Sequence, residues 1–412
     1  MHDTVSPLAP GPFSYRNWLA RLESRPETLC EEIPIYSDAH FVGELTKDLG
    51  PYQFLNTVPP SFGFGQVRPA LVLRFSVHLP DEMEKVVEAF KVGKSNTLSY
   101  TGGTAYDELA SLLSLIHGVR AAAGSVNRWF WPHDPDPRGR PTHSGSSSVS
   151  FEAGRGNPRV PSLVRSVVLS HDLLATLPSL GPHTARELVR ASRSYRQACW
   201  VCESDPNLAW LLFVSAAETV ANEWARLKNL PTESPRELLV QLRPDFAERL
   251  SAASGEKHEA VLSEVGQTLR DVLRAQWKFI NFLLEYGLVP PQPRPKAFGI
   301  DWSRNEMKKC LLLVYKHRSN ALHASIPFPP PMSDPPFPTE GEDGKPALGE
   351  KPMGVTYTGG GLWSDKDLPL NLYTFQHQVR AALVGWWQAI AQRKEHVAFV
   401  LKHRPPAENE ET

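Results

Sequence analysis

Arg318 and His323 set a guanidinium and an imidazole five residues apart in the chain. A guanidinium keeps its charge at any working pH and can hold a phosphate through several N–H donors. An imidazole gives or takes a proton near neutrality. The two stand in the run Arg318-Ser319-Asn320-Ala321-Leu322-His323, so on a regular helix they would point about 140° apart. Ile326-Pro327 ends that helix within a turn, and fraying there would redirect the imidazole. Arg318 itself falls on a stripe with Met307, Cys310, Leu311, Val314, Tyr315 and Leu322 at three- and four-residue spacing. A cation on the apolar side of a helix is costly to desolvate unless a carboxylate or a bound phosphate answers it.

Glu218 is the carboxylate expected to pair with Arg318. It lies centrally on a helix expected near 207–228, with Leu208, Leu211, Leu212, Ser215, Thr219 and Asn222 on its side. The small residues Ser215, Ala216 and Ala217 allow another helix to come close there. Ser319 and Asn320 could orient the phosphate or the imidazole, although polar residues in a helix's last turns are often simply solvated.

Other arrangements carry less. Arg128/His133, Arg138/His143 and Arg165/His171 repeat the Arg-to-His spacing, but in loop-rich sequence or at its edge. Cys199-Trp200-Val201-Cys202 is a CxxC that falls within a helix. No second CxxC or His pair completes a zinc site, and Cys30 and Cys310 are isolated, so two buried thiols are expected. His133-Asp134-Pro135-Asp136 offers metal-ligand types, yet Asp-Pro repeats are above all turn formers. Trp386 and Trp387 read as core aromatics. There is no glycine-rich phosphate loop, nucleophile elbow or zinc-protease motif. Neither a metal nor a cofactor is expected.

These side chains need a scaffold, and 412 residues, of which 41% are hydrophobic, suffice for two or three packed domains. With 44 basic and 45 acidic residues, no global field draws the chain to nucleic acid or anionic lipid, so any such site must be local. Four cysteines make no disulfide framework. No basic segment followed by an apolar run opens the sequence, and no stretch approaches the roughly 20 apolar residues that cross a bilayer. The cytoplasm is the expected compartment, with no membrane partner.

The fold class expected is α+β: a mixed, partly β domain over 1–160, a helical bundle over 161–400, and a polar tail over 401–412. Residues 1–65 show no sustained period and are expected to be irregular with a few short strands. Leu71 to Leu79 alternates as a strand with one buried face, and a helix follows from about Tyr106, with Gly124 as its stop. Trp129 to Gly156 reads as a long loop. Helices are expected near 183–203, 207–228, 235–252, 257–286, 303–325 and 371–397. Between the last two, the Pro- and Gly-rich segment 327–369 is expected as a surface excursion, outside the bundle interior and placed as a possible lid.

On these motifs the helical half resembles the HEPN superfamily, whose nucleases carry Arg, a polar residue and, a few positions on, His near the end of a bundle helix. Tyr315-Lys316-His317-Arg318-Ser319, the Ala216-Ala217-Glu218 helix, the segment from Ser192 to Trp210 with Tyr195, Trp200 and Pro206, and, more weakly, Glu108 to Gly124 look like the bacterial Apea-like branch. The resemblance covers about 185–400. It implies metal-independent RNA cleavage, in which the substrate's 2′-hydroxyl attacks its own phosphodiester, His323 is general base or acid and Arg318 holds the scissile phosphate. It implies a homodimer whose Arg–His pairs line one cleft, and a role in antiviral defence or a toxin system, with a regulatory partner or antitoxin. The alternative it leaves is a noncatalytic HEPN module that binds RNA, a nucleotide or a partner protein.

Overall fold

The computed structural model describes residues 10–56, 67–79, 97, 99–134, 157–230, 234–353, 356–358 and 360–392. The chain is mixed α and β, with a sheet in its N-terminal part and helices dominating its C-terminal part. It divides into two compact units: one of residues 1–156, 161–204 and 386–412, the other of 157–160 and 205–385. A composition change near 160 and a packing division at 204 are separate properties of the chain.

The first unit opens with α1 (Phe13–Leu22) and then β1 (Leu29–Ser37), β2 (His40–Val42), β3 (Tyr52–Asn56) and β4 (Arg68–Val77). After α2 (Ala105–His117) come β5 (Ala122–Ala123), β6 (Arg128–Phe130) and β7 (Ser166–Val168). The main sheet runs β3-β4-β1-β5, with β6 also on β1, and every pairing is antiparallel. β2 and β7 form a separate parallel pair. The alternation read at Leu71 to Leu79 is β4, but Val72 is buried along with Leu71, Leu73 and Phe75, so its middle is covered on both faces. Residues expected to be irregular hold α1 and the nine-residue strand β1. Asn17 ties that helix to the sheet, its amide donating to the Ser76 carbonyl (2.8 Å) and its oxygen accepting from the His78 amide (2.7 Å).

Helix α2 starts in a Thr104/Asp107 capping box and stops at Gly118, whose φ of 64° closes the helix earlier than Gly124. Against it lies α3 (Pro182–Val201), held through Arg196 to Ser111 Oγ (3.0 Å) and Asp107 (3.3 Å). Part of the expected long loop is the strand β6, while 135–156 lie outside the described residues, as do Arg138/His143 and the Pro135-Asp136 portion of the Asp-Pro run.

The second unit is helical in its main part: α4 (Pro206–Leu227), α5 (Pro235–Leu242), α6 (Pro244–Ser254), α7 (His258–Thr268), α8 (Arg270–Tyr286) and α9 (Arg304–His323). Asp205-Pro206 and Ser234-Pro235 start their helices through side-chain caps and proline in the first turn. The helix expected over 235–252 is broken at Arg243, because Pro244 has no N–H to continue it and restricts the residue before. That expected over 257–286 is also two, divided at Leu269. Gly266 is required at the meeting of α5 and α7, since a Cβ there would come within 2.6 Å of the Pro235 carbonyl oxygen.

Two links set α4 and α8 parallel: Lys278 Nζ donates to Asn222 Oδ1 (3.0 Å), and Lys228 Nζ pairs with Glu285 (2.6 Å). α9 runs antiparallel to α8, with Arg304 donating to the Leu284 carbonyl (3.1 Å) at one end and Tyr315 meeting Phe279 (5.3 Å between rings) further along.

Residues 327–369 are not confined to the surface. They contain α10 (Pro330–Ser333) and the hairpin pairs β8 (Pro338–Glu340) with β9 (Pro346–Leu348) and β10 (Thr356–Thr358) with β11 (Gly361–Trp363). Phe328 and Met332 are core residues: Phe328 stacks on Trp210 with centroids 4.9 Å apart and planes 9° from parallel. Trp210 also donates from Nε1 to Ser333 Oγ (3.1 Å). Glu350, fully buried, accepts from the Ile300 amide (2.8 Å) and pairs with Arg294 (3.0 Å). Proline punctuates this segment, but its apolar side chains still find a core. The last helix, α11 (Leu372–Ala391), belongs to the second unit through Gly385 and to the first from Trp386. Both Trp386 and Trp387 are buried, and Trp387 Nε1 donates to Thr176 Oγ1 (3.0 Å).

Candidate functional site

Helix α9 exists because a Ser303 N-terminus and the Met307, Leu311, Val314 and Tyr315 stripe bury one of its sides. Cys310 is half-buried, but Leu322 is 49% exposed, so the apolar stripe ends before the last turn. α4 turns differently from the sequence reading. Its core side is Ala209, Trp210, Phe213, Val214, Ala217, Val220, Ala221 and Trp224. Leu208, Ser215 and Asn222 are exposed. Glu218 therefore stands on the margin of the buried face, not at its centre. The leucines suggested the wrong side because Ala and Trp, close-packed, carry the burial.

Arg318 and Glu218 are paired all the same, Nη2 to Oε2 at 3.0 Å, with side chains 23% and 19% exposed. The guanidinium also lies over the Tyr315 ring, 5.3 Å from its centroid. Burial raises the Tyr315 pKa well above the ordinary phenol range, and the Glu218 charge and its acceptor oxygen add to the rise. Tyr315 was legible in the sequence only as an apolar stripe residue. Its place one turn before Arg318 on the same face is the signal that its hydroxyl shares the polar centre.

His323 closes α9 as an exposed residue. The helix is regular through His323, so fraying does not bring the imidazole back toward Arg318. Among the described residues no hydrogen bond or ion pair joins the two. The stop comes two residues later, where Ser325 takes φ 54° and the Ile326 amide donates to the Asn320 carbonyl (3.2 Å). Ser319 and Asn320 are half-buried, and their side chains make no hydrogen bond among the described residues. The neighbouring His317 faces the Asp367 carbonyl through Nε2 (3.2 Å) and the Phe328 ring, and burial lowers its pKa.

The other arrangements read in the sequence, where they fall among the described residues, make structural contacts. Cys199 and Cys202 are buried, the guanidinium of Arg120 donating to Cys202 Sγ (3.3 Å) and pairing with Asp38 (2.6 Å). Burial pushes the Cys202 thiol up to about 11, the opposite of an activated thiolate. Asp134 accepts from the Trp131 amide (2.7 Å) as a turn former. Arg128 pairs with the buried Glu32, and Arg165 donates to the His117 carbonyl. Among the described residues no three His, Cys, Asp or Glu side chains converge on a point that could hold a metal ion.

Fold and site together define a class, an α+β protein whose helical unit carries a partly exposed Arg–Glu–Tyr centre with a histidine at the helix end. Comparison with protein-family models, curated proteins and solved structures finds no match to this chain. No described helix is long and apolar enough to cross a membrane.

Proposed function

We propose that this chain is a metal-independent endoribonuclease of HEPN type, acting through Arg318 and His323 in bacterial antiviral defence or a toxin system. The observation that carries this reading is the Arg318–Glu218 pair: a guanidinium fixed by a carboxylate and an aromatic ring, yet 23% exposed. Its remaining N–H groups are available to a phosphate oxygen, and the charge that develops on a phosphodiester in flight is what a preorganised guanidinium stabilises. His323, exposed in the last turn of the same helix, supplies an imidazole free to take the proton from an attacking 2′-hydroxyl or to give one to the leaving oxygen.

Within one chain the two side chains diverge by about 140°. The reading therefore includes a homodimer, in which the Arg318 of one copy and the His323 of the other meet across a two-fold axis. RNA is the substrate, and a regulatory partner or antitoxin accounts for control of such an activity in its host. A noncatalytic HEPN module is the second reading, favoured by the same ion pair taken as structural and by the separation of His323 from Arg318.

Purified protein with excess EDTA, compared with His323→Ala and Arg318→Ala after all three are shown to be folded, separates the two. The nuclease reading expects EDTA-resistant cutting lost in both variants. A folded, dimeric wild type that binds RNA without cutting it favours the noncatalytic module.

A further inference from the structure

Glu218 answers the charge of Arg318, and two more arginines lie toward this pair. Arg243, at the break between α5 and α6, is half-buried, its guanidinium donates to the Leu242 carbonyl (3.3 Å), and it lies within electrostatic reach of the Tyr315 hydroxyl. Arg274 lies on α8 one turn before Lys278, and Glu218 lies on the parallel α4 one turn before Asn222. Lys278 reaches Asn222, so the one-turn offset on both helices turns Arg274 toward the Glu218 side of α4. Its Nε is buried and has no hydrogen-bond partner among the described residues. The nearest acid on its own helix, Asp271, is 94% exposed and turned to Arg270 (3.7 Å).

A further group points the same way. Gln276 is fully buried, and neither its amide oxygen nor its amide nitrogen has a hydrogen-bond partner among the described residues. It lies one turn before Phe279, whose ring meets Tyr315, which on antiparallel helices sets it level with Arg318. A buried amide left in this way is costly.

We propose that Arg243, Arg274 and Arg318 form one phosphate-binding track that holds successive phosphodiesters of an RNA strand. The track deepens the nuclease reading and rests on it for the choice of RNA. Arg318 takes the scissile phosphate, while Arg243 and Arg274 are positioning residues for its neighbours. Glu218 sets the shape: a single phosphate buried among the three guanidiniums would meet its charge, whereas phosphates spaced along a strand reach the outer N–H groups of each.

The test is binding, not turnover. The full chain is titrated into a fluorescent 2′-O-methyl oligoribonucleotide, which lacks the attacking hydroxyl, over a series of salt concentrations. Wild type is compared with Arg243→Gln, Arg274→Gln, the charge-keeping Arg243→Lys and Arg274→Lys, and Lys257→Gln as an exposed cation elsewhere in the unit. Circular dichroism and unfolding midpoints show which variants are folded. Each Gln variant is expected to weaken binding several-fold and to reduce the salt slope by about 0.7 to 1, the release of one phosphate's counterion. The Lys variants keep the slope, and Lys257→Gln changes neither quantity. Failure of wild type to bind, or wild-type affinity and slope in both Gln variants, overturns the track. The expected pattern in a protein that cuts no RNA upholds the track and removes the nuclease reading.

Discussion

Replacing Glu218 by Gln keeps the shape of the side chain and removes its charge, leaving Arg318 without its counter-ion. A fully buried pair broken on one side costs about 3 to 5 kcal/mol, whereas an exposed pair is worth about 0 to 1 kcal/mol. With the two side chains 23% and 19% exposed and one hydrogen bond of 3.0 Å between them, the cost lies between: ~1 to 2.5 kcal/mol. Arg318→Met removes the other partner and should cost a similar amount. In the double variant neither charge is left stranded, so the loss should fall short of the sum by ~1 to 2 kcal/mol. Because the chain has two compact units, a single unfolding curve is an unsafe measure. Amide hydrogen exchange in α4 and α9 reads the local cost directly. Single-variant losses that add to within about 0.5 kcal/mol in the double would refute the coupling, and with it the idea that Glu218 is what holds Arg318 in place.

Three further perturbations test the surroundings of the site. Phe328→Ala, which removes a buried ring stacked on Trp210, should cost about 3 to 5 kcal/mol by chemical denaturation; a loss below about 1 kcal/mol would mean that the segment after the motif helix is not part of the core. Ser325→Gly relieves a left-handed residue at φ 54° and should stabilise by about 0.5 to 1 kcal/mol in thermal unfolding, so a lowered midpoint would contradict the conformation described. The folded-state pKa of His317 is depressed by burial; its contribution is therefore full above the ordinary histidine range and lost as pH falls through that range toward the folded value. His317→Asn should flatten the acid-side slope of stability between about pH 7 and 5, and an unchanged slope would show that the imidazole does not titrate in this way.

Helix starts were legible because they are local. The helices expected near 207 and 235 start where Asp205-Pro206 and Ser234-Pro235 cap them, and the Met307 to Tyr315 stripe specifies its own buried side. The pairing of Arg318 with Glu218 was legible too, since a cation on an apolar stripe requires an answer and Glu218 was expected central on a small-residue helix face, although it stands at the margin of the buried side. What escaped was set at a distance. β1 carries Glu31, Glu32 and Pro34, which blur its period, and the burial of Glu32 is permitted only by Arg74 and Arg128 from other strands. The proline-rich segment after α9 hid a Phe–Trp stack between residues 118 apart in sequence. The break at Leu269 has no Pro to mark it, unlike the one at Pro244, and Gly266 lies inside the helix before it. Arg243 and Arg274 carry no signal in the sequence, because only helix packing brings Arg243 within reach of Tyr315 and turns Arg274 toward the Glu218 side of α4.

The central claim is that Arg318 and His323 cut RNA using its own 2′-hydroxyl. The most direct measurement is cleavage, in excess EDTA, of one oligoribonucleotide and of the same strand carrying a single 2′-deoxy nucleotide at the mapped cut, by wild type and by folded His323→Ala. The account predicts cutting of the all-ribo strand to a 2′,3′-cyclic phosphate end, none at the deoxy position, and none by His323→Ala. Cutting by His323→Ala at the wild-type rate, or equal cutting of the deoxy strand, would contradict it.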